Sequence, residues 1–598
     1  MSARRAPRAV APAVHYRLAA ADPHSHLIEV TLRVPKPQAG QRFALPVWIP
    51  GSYLVREFSQ HLQQLTARQG GRAIALKQLD KHRWQADNSA GQALELRYQV
   101  YAFDASVRTA FVDATRGFFN PTSTCLRALG HEDQPHALRL ERGGLPEDWS
   151  VASGLPGLEL DPHGFGDYLA GDYDELADCP FTLGRFFSAE FVAGGVPHRF
   201  VLTGAGAGVD TERLVEDTRR ICETQIQFWH GDGAPPFGQY VFMLHASADG
   251  YGGLEHRNST ALICARADLP RRGAKPAPLK ATDGYTTLLG LISHEYFHTW
   301  NVKRLRPREF ARYDYDGENY TELLWFFEGF TSYYDDLLLR RAGLIDDATY
   351  LQLLAKTINQ VQQAPGRLLQ SVAQASFDAW VKYYRVGENT PNATVSYYTK
   401  GALVALCLDL TLRDSGHSTL DGVMRALWRR CDGGPLRESD VRAALREQGR
   451  RAFTAELQEW VHGTADLPLA QLLPALGAKW QTDPAPLAQR LGLRVSEGAA
   501  LVIRNVLRGG AGEAAGLAAG DEWLGVEFPA ARRGAPVEAW RVTRLDEIES
   551  LRGDRSRLTA LVSRDRQLLR LNFDWPAEEQ AVRLSVGDAS RLAAWLQA

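Results

Sequence analysis

Two histidines four residues apart, with a glutamate beside the first, are the residues of this 598-residue sequence best suited to chemistry: His294-Glu295-Tyr296-Phe297-His298. The stretch before them, TTLLGLIS, is apolar and helix-compatible, and Pro307 lies beyond the expected helix end. On a helix, residues i and i+4 point from one face, so both imidazoles can bind a single metal ion. Neutral imidazoles suit Zn2+, which lowers the pKa of a water it holds to about 7. Glu295 is then the general base that takes the proton. A chance match is the competing account, and a third ligand is needed to defeat it. Glu328 supplies one. It lies inside the apolar run TELLWFFEGFTSYYD, which reads as a second helix over residues 321–335. A carboxylate there is costly unless it is paired or bound to a cation. Two His and one carboxylate with an open fourth position form a catalytic zinc set, so one Zn2+ per chain is expected on His294, His298 and Glu328. The alternative for Glu328 is a salt-bridged core acid. Asp335, two turns further along the same helix face, is the expected acceptor for the outer N–H of a zinc-bound imidazole, with Asp336 as runner-up.

The elements that must hold these groups can be read from pattern and composition. Length alone implies about three to four domains. From about residue 12 to 180 the texture is β: HLIEVTLRV (26–34), FALPVWIP (43–50) and LELRYQVYAF (94–103) alternate in polarity and are split by Gly, Pro and Asp turns. An antiparallel β-sandwich is expected there. DCPFTLGRFFSAEFVAGGVPHRFVLTG (178–204) continues as strands opening the next domain. Helical spacing starts near Thr211 and dominates to about residue 470, with one β interruption at 239–269. A Pro-bearing link (479–490) leads to a last alternating unit, about 490–578. The chain therefore divides into an N-terminal β-domain (1–180), a mostly helical catalytic domain (181–484) and a C-terminal unit (485–598).

Lys plus Arg is 68 and Asp plus Glu is 70, a net charge of −2, which speaks against a nucleic-acid binder. No run of 18 apolar residues suggests a membrane span. The opening MSARRAPRAVAPAVHYRLAA lacks the apolar stretch of a signal peptide, so a cytoplasmic location is expected. The six Cys (125, 179, 222, 264, 407, 431) are widely spaced without a C-x-x-C pair and read as buried thiols. Sequons at Asn258, Asn319 and Asn392 lie beside the site motifs, where a glycan would obstruct, and read as chance.

HEYFHTWNVKRLRP together with WFFEGFTSYY resembles the glutamate-zincin metallopeptidases, in which the second helix supplies the third zinc ligand. More narrowly, WIPGSYLVREFSQH (48–61), GFFNPTSTCL (117–126) and YDELADCPFTLG (173–184) also resemble the glycyl aminopeptidase family. That resemblance implies a thermolysin-like catalytic domain, a C-terminal PDZ domain and a preference for N-terminal Gly or Ala. Gly252-Gly253-Leu254-Glu255-His256 is similar to the G-x-M-E-N strand of zinc aminopeptidases. In that motif the backbone, here at Gly252 and Gly253, pairs with substrate, and the Glu, here Glu255, binds the free α-amine. His256 stands where the motif has Asn. The competing account is a hairpin with an exposed Glu. Tyr398-Thr399-Lys400-Gly401 is similar to the Y-x-K-G segment that supplies a transition-state Tyr, with Tyr397 the neighbour open to confusion. AGEAAGLAAGD (511–521) resembles a PDZ turn and short helix, and Leu491-Gly492-Leu493-Arg494 would be the loop that receives a peptide or protein C-terminus. The expectation is a zinc aminopeptidase acting on peptides. Its rivals are a zinc endopeptidase, and a PDZ-based scaffold with a vestigial metal site.

Overall fold

The structure, a computed structural model, describes residues 13–273, 282–529 and 536–597; the basic opening of the chain falls largely outside them, at residues 1–12. The chain forms two compact units. One runs to Tyr320 and takes in Arg341–Ile345 and Trp428–Leu436; the other comprises Thr321–Arg340, Asp346–Leu427 and Arg437–Ala598.

In the first unit, period-2 sequences become half-buried strands. Leu27–Val34 and Leu94–Tyr101 alternate buried and outward residues along their length and pair antiparallel. They lie in an eight-stranded sheet ordered Gly157–Leu160, Gly166–Ala170, His136–Glu141, Val14–Asp22, Leu27–Val34, Leu94–Tyr101, Leu62–Gln69, Arg72–Ile74. Two four-stranded sheets share its core, which contains Tyr16, Leu96, Phe119 and Trp149. The sandwich is not wholly antiparallel: Val14–Ala19 runs parallel to His136–Glu141. A parallel pair needs a long crossover, and here the intervening hundred or so residues build most of the remaining strands first. The same core extends to Leu254 and Ala261, so the β-domain packs directly on the strands that follow.

Those strands form a second sheet, ordered Phe187–Ala193, Val196–Thr203, Tyr240–Ser247, Ser259–Ala265, Gly252–Glu255. Of the strands expected at 178–204, Phe187–Ala193 and Val196–Thr203 join those of 239–269 in this mixed sheet, whereas Phe181–Gly184 pairs with Arg116–Phe119 and Ser150–Ser153 in the β-domain. Helices Thr211–His230 and Asp283–Phe297 pack on it and on each other. Each has a side-chain cap: Asp210 accepts from the Arg213 N–H, and Thr282 from the Tyr285 N–H.

The second unit is helical up to Ala475 and then mainly β, with short helices between the strands and one at its end. Helices Leu324–Arg341 and Thr399–Asp414 cross where both carry glycine. A Cβ on Gly329 would lie 2.6 Å from Gly401 Cα, and one on Gly401 would lie 2.7 Å from the Trp325 carbonyl oxygen. Only bare backbone allows this approach. Near the C-terminus, an antiparallel six-stranded sheet is built from Leu493–Ser496, Val502–Val506, Glu522–Phe528, Glu538–Arg541, Arg557–Arg564 and Gln567–Asp574. It is bracketed by a ribbon in which Ala478–Pro484 pairs with Gln580–Val586. Asn392 fastens the sheet to the helices, donating to the Val506 carbonyl at 2.8 Å and accepting from the Arg508 N–H at 2.9 Å. The last helix, Ala589–Leu596, also returns to the helical region, where the Trp595 indole N–H lies 3.3 Å from the Tyr333 hydroxyl.

Among the described residues no helix is long and apolar enough to cross a membrane. Five of the six cysteines are buried, Cys431 is half-buried, and none is in a disulfide. The three sequon asparagines are committed internally, Asn258 to the Gly154 carbonyl, Asn319 to that of Asp314 and Asn392 to Val506.

Candidate metal centre and substrate strand

The helix Asp283–Phe297 carries the two histidines to its C-terminal end, and the His298 N–H still bonds the His294 carbonyl, so i,i+4 geometry holds through the motif. It is clamped from two sides. Gln225 donates to the Ser293 carbonyl at 2.8 Å, and the Tyr296 hydroxyl lies 2.8 Å from His198 Nε2. His198 Nδ1 faces the Val196 carbonyl, which can only accept, so Nδ1 carries the proton and Nε2 receives the Tyr296 O–H. Burial pushes the His198 pKa down to about 4, which keeps that ring neutral.

The same reasoning fixes the His298 tautomer. Its Nδ1 lies 2.7 Å from the Asn301 carbonyl, so the proton sits there and Nε2 carries the lone pair that a metal would take. That Nε2 is 3.0 Å from His294 Nε2. The turn that presents the Asn301 carbonyl holds Val302 at φ 141°, a conformation costing a β-branched residue about 1–3 kcal/mol. His294, His298 and Glu328 each offer one ligand atom, and these atoms all lie within 4.8 Å of one another. Two imidazole nitrogens and a carboxylate oxygen at this spacing are a donor set that fits Zn2+. The partner of the His298 outer nitrogen is thus a backbone carbonyl, whereas Asp335 Oδ1 accepts from the Asp336 N–H at 2.6 Å.

Around Glu328, the Gly329/Gly401 crossing brings in Tyr398, three residues before Gly401 and the N-cap of its helix. Burial, then the Glu328 carboxylate, hold the Tyr398 phenol protonated, with a pKa well above its ordinary value. Its hydroxyl is 3.0 Å from that of Tyr384, a neighbour with no motif to announce it. Lys400 of the same segment points elsewhere, its Nζ 3.4 Å from the Ala465 carbonyl.

Gly252–Glu255 is an edge strand paired antiparallel with Ser259–Ala265. The His256 N–H bonds the Ser259 carbonyl, and pairing alternates from there, so Gly253 and Glu255 direct their N–H and C=O groups to the open edge. Their side-chain directions share one face. A Cβ on Gly253 would collide with the Glu295 carboxylate, so the general-base candidate sits directly against this strand. Glu255 is 4% exposed, and its Oε1 has no hydrogen-bond partner among the described residues. The hairpin with an exposed Glu is therefore excluded. Gly51, from the WIPGSY loop and at φ 97°, closes against Glu255: a Cβ there would lie 2.5 Å from Oε1.

Behind Glu255 stands a charge cluster that local sequence pattern does not reveal. Asp178 accepts from Lys303 Nζ at 2.7 Å and from the Arg257 N–H at 2.9 Å, and His256 Nδ1 is 3.3 Å away. Burial alone would raise the Asp178 carboxyl, but Lys303, His256 and Arg257 overcome it and hold it well below the usual range. The histidine that replaces the motif's Asn is thus tied to Asp178. The only hint of this cluster was that YDELADCP and HTWNVK both fell in stretches of family resemblance.

The Peptidase M61 N-terminal domain model matches residues 15–185, and the M61 glycyl aminopeptidase model matches residues 287–404. Among curated proteins none matches this chain. Among solved structures, an aminopeptidase N family protein from Idiomarina loihiensis is 37% identical with a TM-score of 0.89, over 98% of this chain and 100% of that one. An M1 zinc metallopeptidase from Deinococcus radiodurans is 17% identical with a TM-score of 0.47, over 76% and 94% of the two chains. Yeast LTA4 hydrolase in complex with bestatin is 13% identical with a TM-score of 0.46, over 78% and 69%. With both family models matching in order and close likeness to the Idiomarina protein over nearly its full length, the chain belongs to the M61 glycyl aminopeptidase family.

Proposed function

We propose that this protein is a zinc-dependent aminopeptidase that releases one N-terminal residue, Gly or Ala by preference, from peptides. The observation that carries the reading is Glu255, a buried carboxylate with an unpartnered oxygen on the edge strand that also flanks Glu295. Lys303 is already paired with Asp178 and the Arg257 guanidinium with Asp174, so the unpartnered Oε1 of Glu255 is left to an incoming ammonium. A charge-assisted hydrogen bond in such a desolvated place is far stronger than on the surface. The Gly or Ala preference rests on family membership.

Zn2+ on His294, His298 and Glu328 would acidify a water to a pKa of about 7 and polarise the scissile carbonyl. Glu295 takes the proton from the attacking water and passes it to the departing amine. Tyr398 donates its phenolic hydrogen to the carbonyl oxygen as that atom gains charge, a task a neutral donor performs without a buried charge of its own. Glu255 holds the substrate amine and so sets where the chain is cut. Asp335 is assigned to the outer nitrogen of His294. Residues 485–598 are assigned as a PDZ domain, with Leu491–Arg494 as the segment that would receive a peptide C-terminus.

The test compares Gly-p-nitroanilide with its N-acetylated form. Hydrolysis of the free amine alone is expected, and Glu255→Gln should raise KM for it by the equivalent of about 2–4 kcal/mol. Equal rates on both would point to an endopeptidase, and no hydrolysis by zinc-loaded protein would point to a scaffold.

A further inference from the structure

Arg108 belongs to the N-terminal β-domain, yet it reaches the substrate strand. Its guanidinium donates to the Gly253 carbonyl at 3.3 Å, and its Nη1 lies 3.8 Å from where a Gly252 Cβ would stand. That carbonyl is one of the groups directed to the open edge. Arg108 is half-buried, its Nε is buried without an acceptor, and it forms no ion pair among the described residues. A guanidinium has five donors in a planar fork matched to a carboxylate. Among the described residues its side chain makes one long hydrogen bond, so the fork is underused.

The order of groups along the strand is informative. Glu255 marks the amine end. Gly253, two residues away, faces Glu295, and Arg108 sits at Gly253 and Gly252. Two residues of extended strand span about 7 Å, the length of two residues of an extended peptide. A peptide chain continuing along this edge would meet Arg108, whereas one that ends there would present it with a carboxylate.

Resting on the aminopeptidase reading above, we propose that Arg108 binds the C-terminal α-carboxylate of short substrates and that dipeptides with both termini free are the preferred class. Glu255 and Arg108 then hold the two ends, with the scissile carbonyl beside Glu295.

The experiment measures kcat/KM for Gly-Leu and for Gly-Leu-amide, which differ only in the carboxylate, in wild-type protein, Arg108→Gln and Arg108→Lys. Wild-type protein is expected to favour the free acid by about tenfold or more. Arg108→Gln should bring the acid-to-amide ratio close to one, and Arg108→Lys should keep part of it, because the charge survives without the fork. A residue that only braces the edge strand would lower both rates and leave the ratio in place. A wild-type ratio near one, or an undiminished ratio in Arg108→Gln, overturns the assignment of Arg108 while leaving the aminopeptidase intact. Wild-type protein that cleaves neither substrate refutes the aminopeptidase reading and this inference with it.

Discussion

Gly401→Ala tests how Glu328 and Tyr398 are held in register. The added Cβ would lie 2.7 Å from the Trp325 carbonyl oxygen and 3.0 Å from Gly329 Cα. Carbon contacts are at ease near 3.5–4.0 Å, so the two helices would part by roughly 0.5–1 Å. Overpacking on this scale costs about 1–3 kcal/mol, and the better helix propensity of Ala returns about 1 kcal/mol. The net loss of about 0–2 kcal/mol should lower the unfolding midpoint by no more than a few degrees. Turnover is more sensitive. Glu328 adjoins one glycine and Tyr398 lies one turn before the other, so the same separation moves the phenol relative to the carboxylate. A misplacement of about 1 Å can cost about 10²-fold in rate. We expect kcat on Gly-p-nitroanilide to fall about 10- to 100-fold, with zinc still bound and the folded state kept. Steady-state kinetics, metal analysis and a thermal melt on one preparation provide the readout. Gly401→Ala with wild-type kcat would refute the reasoning, because the close crossing would then have no part in setting the geometry.

Glu295→Gln should keep the metal and lose about 10²- to 10⁴-fold in kcat, while His294→Ala should lose metal and activity together; a metal-free wild-type protein with full activity would be inconsistent with both. Tyr398→Phe should lower kcat about 10²–10³-fold with zinc content and KM little changed, and finding that loss in Tyr397→Phe instead would move the donor by one residue. Asp178→Asn should destabilise the protein at pH 7 by about 3–5 kcal/mol, since buried Lys303 loses its counter-charge. The depressed Asp178 carboxyl contributes stability above its unfolded value near pH 4 and loses it as pH falls toward its folded one, so the variant should also show a shallower acid limb below about pH 4. Asp178→Asn as stable as wild type at pH 7 would contradict this account of the cluster.

The candidate metal ligands were legible because their chemistry is local. His294 and His298 need only one helix turn, and Glu328 stood out as an acid in a run of Trp and Phe. The edge strand and Tyr398 were legible only as motif letters. What those letters do emerges in three dimensions, where Gly253 clears space for Glu295 and Gly401 lets one helix backbone touch another. The Asp178–Lys303 pair joins residues 125 positions apart, and no periodicity signals such a contact. The partner of His298 was unreadable for another reason: a main-chain carbonyl, that of Asn301, leaves no trace in residue type. The parallel pairing of Val14–Ala19 was hidden likewise, because alternation identifies a strand and is silent on its neighbour's direction.

The returning C-terminal helix has a consequence for biosynthesis. Trp595 seats against Tyr333 and meets the Tyr350 ring edge-on, so the helices carrying those tyrosines are completed by residues made 262 positions after Tyr333. At roughly 5–20 residues per second, translation takes about 13–52 s to cover that interval. Throughout it the part of Tyr333 and Tyr350 that Trp595 covers waits on the ribosome, Tyr333 being carried by the same helix as Glu328. By topology this helical region is therefore completed late, open to chaperones and proteases for about 13–52 s until the eight-residue helix Ala589–Leu596 arrives.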